Sequence, residues 1–295
     1  MKKEKGAILP LTLIVMAILS VLAMGVMAKA RSAIEEVADK KQEFSDFLSV
    51  SDAVQEIVFV LSTGTPEPGR FMLEGKSVPV DGSLFNIDGV EASVQDNAGL
   101  ISLALASQEN LFRLFRLYVE PSEASDWASI VNEWRKPGGF GRMPTMGDDD
   151  EVLPRNSFMR GVDELLEISV IAQSGVFNTG NEKVPHGLRD YLVVGGVGWQ
   201  NYASMPAELL AGVFGVSESQ LEKLVEAREK GEWQQFAQLQ RAAGLFDEMG
   251  SVASNRFLIR LHGKAFSART MVEVAAGGLP LYKRTLWQYP DAARY

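Results

Sequence analysis

The chain has 295 residues, 46% of them hydrophobic, a net charge of −9 and no cysteine. That is enough apolar material for two compact units beyond an anchor, and too acidic a balance for a nucleic-acid surface, which needs clustered lysine and arginine. Without cysteine there is neither a disulfide framework nor thiolate chemistry. With two histidines and no G-x-S-x-G, H-E-x-x-H or phosphate-loop pattern, the familiar constellations for catalysis are missing, and the chain reads as a non-enzyme.

A basic head, Met1-Lys2-Lys3-Glu4-Lys5-Gly6, precedes an uncharged run from Ala7 to Ala28. The run is about the length needed to cross a hydrocarbon core as a helix, and lysines in front of it keep the amino end in the cytoplasm. Three readings compete. A secretory signal peptide would show a shorter apolar core and a better cleavage site than Ala28-Lys29-Ala30. A plain signal anchor fits the length. A type IV prepilin-like leader would be cut between Gly6 and Ala7, with the apolar run retained. Pro10 favours the third reading: after that cut it is the fourth residue of a new helix, where the N–H has no intrahelical partner to lose. Removing residues 1–6 takes away three lysines and one glutamate, so the mature chain is more acidic still.

Beyond Lys29 the helix is expected to continue. Ile34, Val37, Phe44, Phe47, Leu48, Val54, Ile57, Val58 and Leu61 recur at helical steps with acidic residues between them, and Ser62-Thr63-Gly64-Thr65-Pro66 ends the run. Such a helix is roughly 80 Å long, lipid-soluble in its first half and amphipathic in its second. From Arg70 to Leu105 the segments Phe71–Glu74, Ser83–Ile87 and Val90–Val94 read as antiparallel strands, punctuated by Glu74-Gly75, Asp81-Gly82 and Asp88-Gly89.

Helices follow at Ser107–Tyr118 and Pro121–Trp134, then a Gly/Pro-rich segment, Lys136–Arg155, that contains Asp148, Asp149, Asp150 and Glu151. Val162–Ile168 reads as a short helix, Gln173–His186 as a turn-rich excursion and Asp190–Val194 as a strand. Pro206–Val213, Glu218–Arg228 and Trp233–Ala243 are helical; Arg256–His262, Ala268–Ala275 and Leu281–Trp287 close the chain as strands. Strands on either side of a helical block imply an α+β body with a helical insertion.

Few features could carry chemistry. Leu209 to Ser217 followed by Leu221 resembles a helix-hairpin-helix, but Glu218, Glu222 and Glu226 would meet a phosphate with negative charge, so a packing module is expected. Asp148 to Glu151 offers oxygen ligands of the kind calcium takes, without the alternating spacing that aims carboxylates at one centre, and a solvated acidic loop is the default. His186 and His262 have no partner pattern. Trp127, Trp134, Trp199 and Trp233 read as core.

Taken in order, these segments resemble the minor pseudopilin K subunit of bacterial type II secretion systems. The family's D-x-x-G-x-I-x-L segment corresponds to Asp96-Asn97-Ala98-Gly99-Leu100-Ile101-Ser102-Leu103, and its W-R helix end to Trp134-Arg135. Its N-x-F…E-L stretch corresponds to Asn156, Phe158, Glu164 and Leu165. The asparagine-led turn appears as Asn201-Tyr202-Ala203-Ser204-Met205-Pro206, and the start of the last strands as Ser254 and Phe257. Ser102, Ala104 and Tyr202 replace the family's usual asparagines and threonine. The resemblance implies a leader at 1–6 cut between Gly6 and Ala7, a transmembrane segment at 7–28 and a spike helix with first strands at 29–105. A helical insertion with helix-hairpin-helix or SAM-like modules would occupy 106–250, and closing strands 251–295. Most pseudopilins carry a glutamate as fifth mature residue; here it is Leu11, an absence shared with the K family and suited to a filament tip. The partners implied are other minor pseudopilins, the inner-membrane secretion platform and a prepilin peptidase, with no nucleic acid. Calcium at Asp148, Asp149, Asp150 and Glu151 is a possibility carried over from the family. The alternative is a minor type IV pilin or DNA-uptake subunit that uses the hairpin on DNA.

Overall fold

In this computed structural model, residues 8–135, 159–246, 252–263, 267–275 and 282–289 are described. A single helix α1, Ile8–Thr63, runs 56 residues without a break. Pro10 lies in its first turn, where it removes no helical hydrogen bond. The helix ends at Gly64, which donates its N–H to the Val60 carbonyl at 2.8 Å; a Cβ there would lie 2.5 Å from that same oxygen.

Next come β1 (Thr65–Glu67), β2 (Arg70–Leu73) and β3 (Lys76–Pro79), a small antiparallel sheet in the order β1-β2-β3. Then β4 (Asp81–Ile87) and β5 (Val90–Asp96) form a second hairpin. Both hairpins turn on a two-residue loop with positive φ at each position: Glu74 and Gly75 in one, Asp88 and Gly89 in the other. That geometry matches the right-handed twist of the strands, which is why an acidic residue followed by glycine signals it. Asp81-Gly82, by contrast, is not a turn. It lies inside β4, where the pairing with β5 slips between Asp81 and Leu84, and Gly82 takes φ +84° beside the Gln95 side chain. A glycine in a strand marks a bulge as readily as a turn.

After a two-residue strand β6 (Ile101–Ser102) come α2 (Gln108–Phe115) and α3 (Pro121–Trp134). Beyond residue 158 the chain makes a 3-10 turn at Val162–Glu167, α4 (Ser169–Ser174) and a second 3-10 turn at Leu188–Tyr191. The strand expected at Asp190–Val194 shrinks to β7 (Leu192–Val193), which pairs parallel with β6. The segment from Gln173, expected to be irregular, begins within α4. Helices α5 (Ala207–Gly212), α6 (Glu218–Glu229) and α7 (Trp233–Ala242) follow, and then β8 (Arg256–His262), β9 (Ser267–Val274) and β10 (Tyr282–Gln288). The main sheet has the order β10-β9-β8-β5-β4, antiparallel throughout.

Two apolar cores result. In one, the second half of α1 (Val50, Val54, Ile57, Leu61) packs on the inward residues of the main sheet, among them Val94, Phe257, Ile259 and Val272. Alternation along the strands dictates this, since every second residue faces the helix. The other core lies within the helical block around Leu111, Phe115, Trp127, Trp134, Leu209 and Phe236. Trp127 and Trp134 are buried as expected, whereas Trp199 and Trp233 are half-exposed, Trp199 donating its indole N–H to the Val252 carbonyl at 2.9 Å. Together these elements form an α+β fold: a long apolar helix on antiparallel sheets, with a helical block inserted between the strands.

Candidate assembly surfaces

The amino half of α1 is uncharged up to Lys29, and each large apolar side chain from Leu11 to Met27 is exposed. Length and composition make it a candidate membrane anchor. Leu11 projects outward with the rest; no carboxylate occurs between Ile8 and Ala28.

Past Lys29 the helix is still uncovered. Ile34, Val37, Phe44 and Leu48 stand exposed at steps of three, seven and four residues, a stripe along roughly 20 Å of one helix face. Polar residues flank it, including an ion pair between Lys40 and Glu43 at 2.9 Å. From Val50 onward one face of the same helix (Val50, Val54, Ile57, Leu61) is buried against the sheet, while Asp52, Gln55 and Phe59 stay exposed on the other. One helix therefore has three zones: an apolar shaft, an amphipathic stretch with an open apolar stripe, and a root in the core. An exposed apolar stripe is costly in water and marks a contact surface.

A buried polar junction locks the helical block to the sheet. Asp96, fully buried at the end of β5, accepts five hydrogen bonds. Its Oδ1 takes the Ala98 N–H (3.1 Å), the Ser254 N–H (3.1 Å) and the Ser254 hydroxyl; its Oδ2 takes the Asn201 amide (2.8 Å) and the Ser204 hydroxyl (3.0 Å). Burial pushes this carboxyl up from its ordinary range, and the hydrogen bonds from Ser254, Asn201, Ala98 and Ser204 only partly oppose that. Gly99 completes the contact, since a Cβ there would lie 2.4 Å from the Ser204 carbonyl oxygen. Residues far apart in sequence thus converge on one carboxylate at the point where the insertion leaves and re-enters the sheet.

A second junction holds the insertion's own start. The Arg135 guanidinium, at the end of α3, donates to the carbonyls of Leu103 (2.7 Å) and Ala106, while the Trp134 indole N–H donates to Glu164 at 3.0 Å. The other Glu164 oxygen accepts the Arg160 N–H at 2.9 Å. These side chains have a structural task.

The hairpin between α5 and α6 is a packing element. Leu209, Leu210, Val213 and Leu224 are buried in it, and Ser217 and Gln220 form a capping box at the start of α6. Of the basic residues within α6, Arg228 is engaged, while Lys223 is exposed on a helix that also carries Glu218, Glu222 and Glu226. Arg228 donates to the Met205 carbonyl (2.9 Å) and pairs with Asp81 (3.2 Å), and Arg113 reaches the Val213 carbonyl (3.2 Å).

Asp148, Asp149, Asp150 and Glu151, where calcium was a possibility, and the processing pair Gly6 and Ala7 lie outside the described residues. Among the described residues no cluster of three or more acidic or histidine side chains could hold a metal ion. His186 is exposed, with its backbone carbonyl accepting the Tyr118 hydroxyl, and His262 lies 3.1 Å from the Ser267 hydroxyl.

No protein-family model matches the chain, and no curated protein matches it either. Among solved structures, it matches a chain of the GspK–GspI–GspJ complex of the enterotoxigenic Escherichia coli type 2 secretion system. The identity is 15%, the match covers 86% of this chain and 98% of that one, and the TM-score is 0.50. At that identity the likeness speaks to architecture: the chain has a pseudopilin-like fold, a long apolar amino-terminal helix packed on antiparallel sheet with helices inserted.

Proposed function

We propose that the chain is a minor pseudopilin of a type II secretion system, anchored in the inner membrane by Ala7–Ala28 with its body in the periplasm, after prepilin peptidase cuts behind Gly6. The carrying observation is the three-zone helix, whose exposed middle stripe of Ile34, Val37, Phe44 and Leu48 is an unfilled apolar surface just outside the anchor. Neighbouring pseudopilin helices of the same construction are its natural occupants. The solved neighbour was crystallised as a complex of three such subunits, which supports partnership of this kind.

A place at the filament tip accords with two features. Leu11 leaves this subunit without the membrane carboxylate that would pair with the terminus of a subunit ahead of it. The helical block, with a core of its own, adds bulk to one side of the sheet body, where a subunit inside a helical filament would meet neighbours.

Co-expression with the other minor pseudopilins of the same system tests the proposal. The intact protein should co-purify with them from detergent extracts, and the double variant Val37→Asp, Phe44→Asp should lose the complex while its sheet body stays folded. Buried apolar anchors dominate such interfaces, so the loss should be at least about 2 kcal/mol of binding free energy. Retention of the complex by the variant, or no complex with the intact chain, would refute this use of the stripe.

A further inference from the structure

The exposed stripe on α1 has a step of seven residues between Val37 and Phe44, and the row is not empty there. Lys41, four residues past Val37 and three before Phe44, occupies the same face and is exposed. Beyond Leu48 the row continues through Asp52, Gln55 and Phe59, at steps of four, three and four, all exposed. A helix face with this spacing is the seam along which a second helix packs, here with one cation and one anion set among its apolar residues.

Neither charge is answered among the described residues. One turn from Lys41 on this face stand Val37, Ala38, Phe44 and Ser45; one turn from Asp52 stand Leu48, Ser49, Gln55 and Glu56. Glu56 is paired with Lys76, and the adjacent Lys40 with Glu43 at 2.9 Å, whereas Lys41 and Asp52 have no ion-pair partner among the described residues. The two are eleven residues apart, about 16 Å along the axis, too far to reach each other. A lone charge inside an apolar seam weakens every pairing that leaves it unanswered, and so decides which helices pack there.

The bilayer limits the choice of occupant. α1 is one unbroken helix from its apolar shaft to Thr63, so a second helix anchored in the same membrane runs parallel to it at a fixed height. A second copy at equal depth would set Lys41 against Lys41 and Asp52 against Asp52, like against like. Sliding that copy by eleven residues would match the charges. It would also shift its shaft by about 16 Å, half of a hydrocarbon core of about 30 Å.

We propose that this face selects a different chain: a parallel, membrane-anchored helix that carries a carboxylate level with Lys41 and a lysine or arginine level with Asp52. The apolar residues supply affinity, while the two charges choose the partner and fix its register. This selection rests on the stripe being a packing surface for neighbouring helices, as proposed above, and adds which helices it accepts.

The test needs no identified partner, because a complementary helix can be made from this chain. Two full-length copies with different affinity tags are co-expressed in one membrane, and capture through one tag after detergent extraction is scored for the other. Wild type should capture the double variant Lys41→Glu, Asp52→Lys at least about tenfold better than it captures itself. The double variant should capture its own copy no better than wild type captures wild type, and about 1 M salt should erase most of the gain. Lys41→Met with Asp52→Ala should capture itself, since the apolar seam remains without its charges. The same charge reversal should weaken the complex with the other minor pseudopilins at least about tenfold. Equal capture of wild type and double variant by wild type, no capture in any combination, or a pseudopilin complex indifferent to the reversal would each overturn the proposal. A complex indifferent to the reversal yet lost with Val37→Asp, Phe44→Asp would overturn the selection alone and leave the stripe as a packing surface.

Discussion

Asp96 and Gly99 stand three residues apart and do opposite jobs at one junction: the first accepts hydrogen bonds from three segments, the second lets two backbones meet. Removing either should uncouple the insertion from the sheet. Asp96→Asn turns one acceptor into a donor facing donors and is expected to cost about 1–3 kcal/mol in urea unfolding of the soluble body. Gly99→Ala drives a methyl into a carbonyl that cannot swing aside and should cost a similar amount, about 1–3 kcal/mol. The pH dependence has a definite sign. A carboxyl whose folded pKa is raised contributes stability that is fully present below its unfolded pKa, near 4, and is lost as pH rises through the folded value. The gap between the wild type and Asp96→Asn should therefore be wider at about pH 4 than at about pH 7. A gap that widens with rising pH would contradict the assignment. Sequence alone marks Asp96, Asn201, Ser204 and Ser254 as scattered motif residues. What it cannot show is that they meet, because that contact spans more than a hundred residues and depends on where the insertion folds back.

At the scale of elements, α1 was legible almost end to end, because its apolar spacing, its charge pattern and the Gly64 stop all point the same way. The same holds for β8, read at Arg256–His262 and found there, and for the two hairpin turns built on an acidic residue and glycine. Short strands were not legible. β1, β3 and β6 have two to four residues each, too few for alternation to register, and they exist because a neighbour supplies the pairing. The Asp81-Gly82 bulge escaped for a related reason, since its glycine serves a strand irregularity and not a chain reversal. Within the insertion, the Trp134–Glu164 bond joins α3 to the chain beyond residue 158. Glu164→Ala should leave the indole N–H of Trp134 and the Arg160 N–H without an acceptor and lower thermal stability, by about 1–3 kcal/mol at the midpoint. An unchanged melting temperature would show that the bond is not a tie.

For the whole molecule, the division of labour along one helix unites the account. An apolar shaft suits a bilayer, an open stripe suits neighbouring helices, and a buried root carries the sheet and, through Asp96, the insertion. The architecture agrees with the pseudopilin-like neighbour, and the rest of the functional reading depends on how the shaft is made. The mass and amino-terminal sequence of the membrane-extracted protein, produced with and without a prepilin peptidase, test it most directly. The expected product is a chain beginning at Ala7, formed only when the peptidase is present. An intact Met1 in its presence, or a terminus near Lys29, would contradict it and leave a signal anchor or a secreted protein with a pseudopilin-like body.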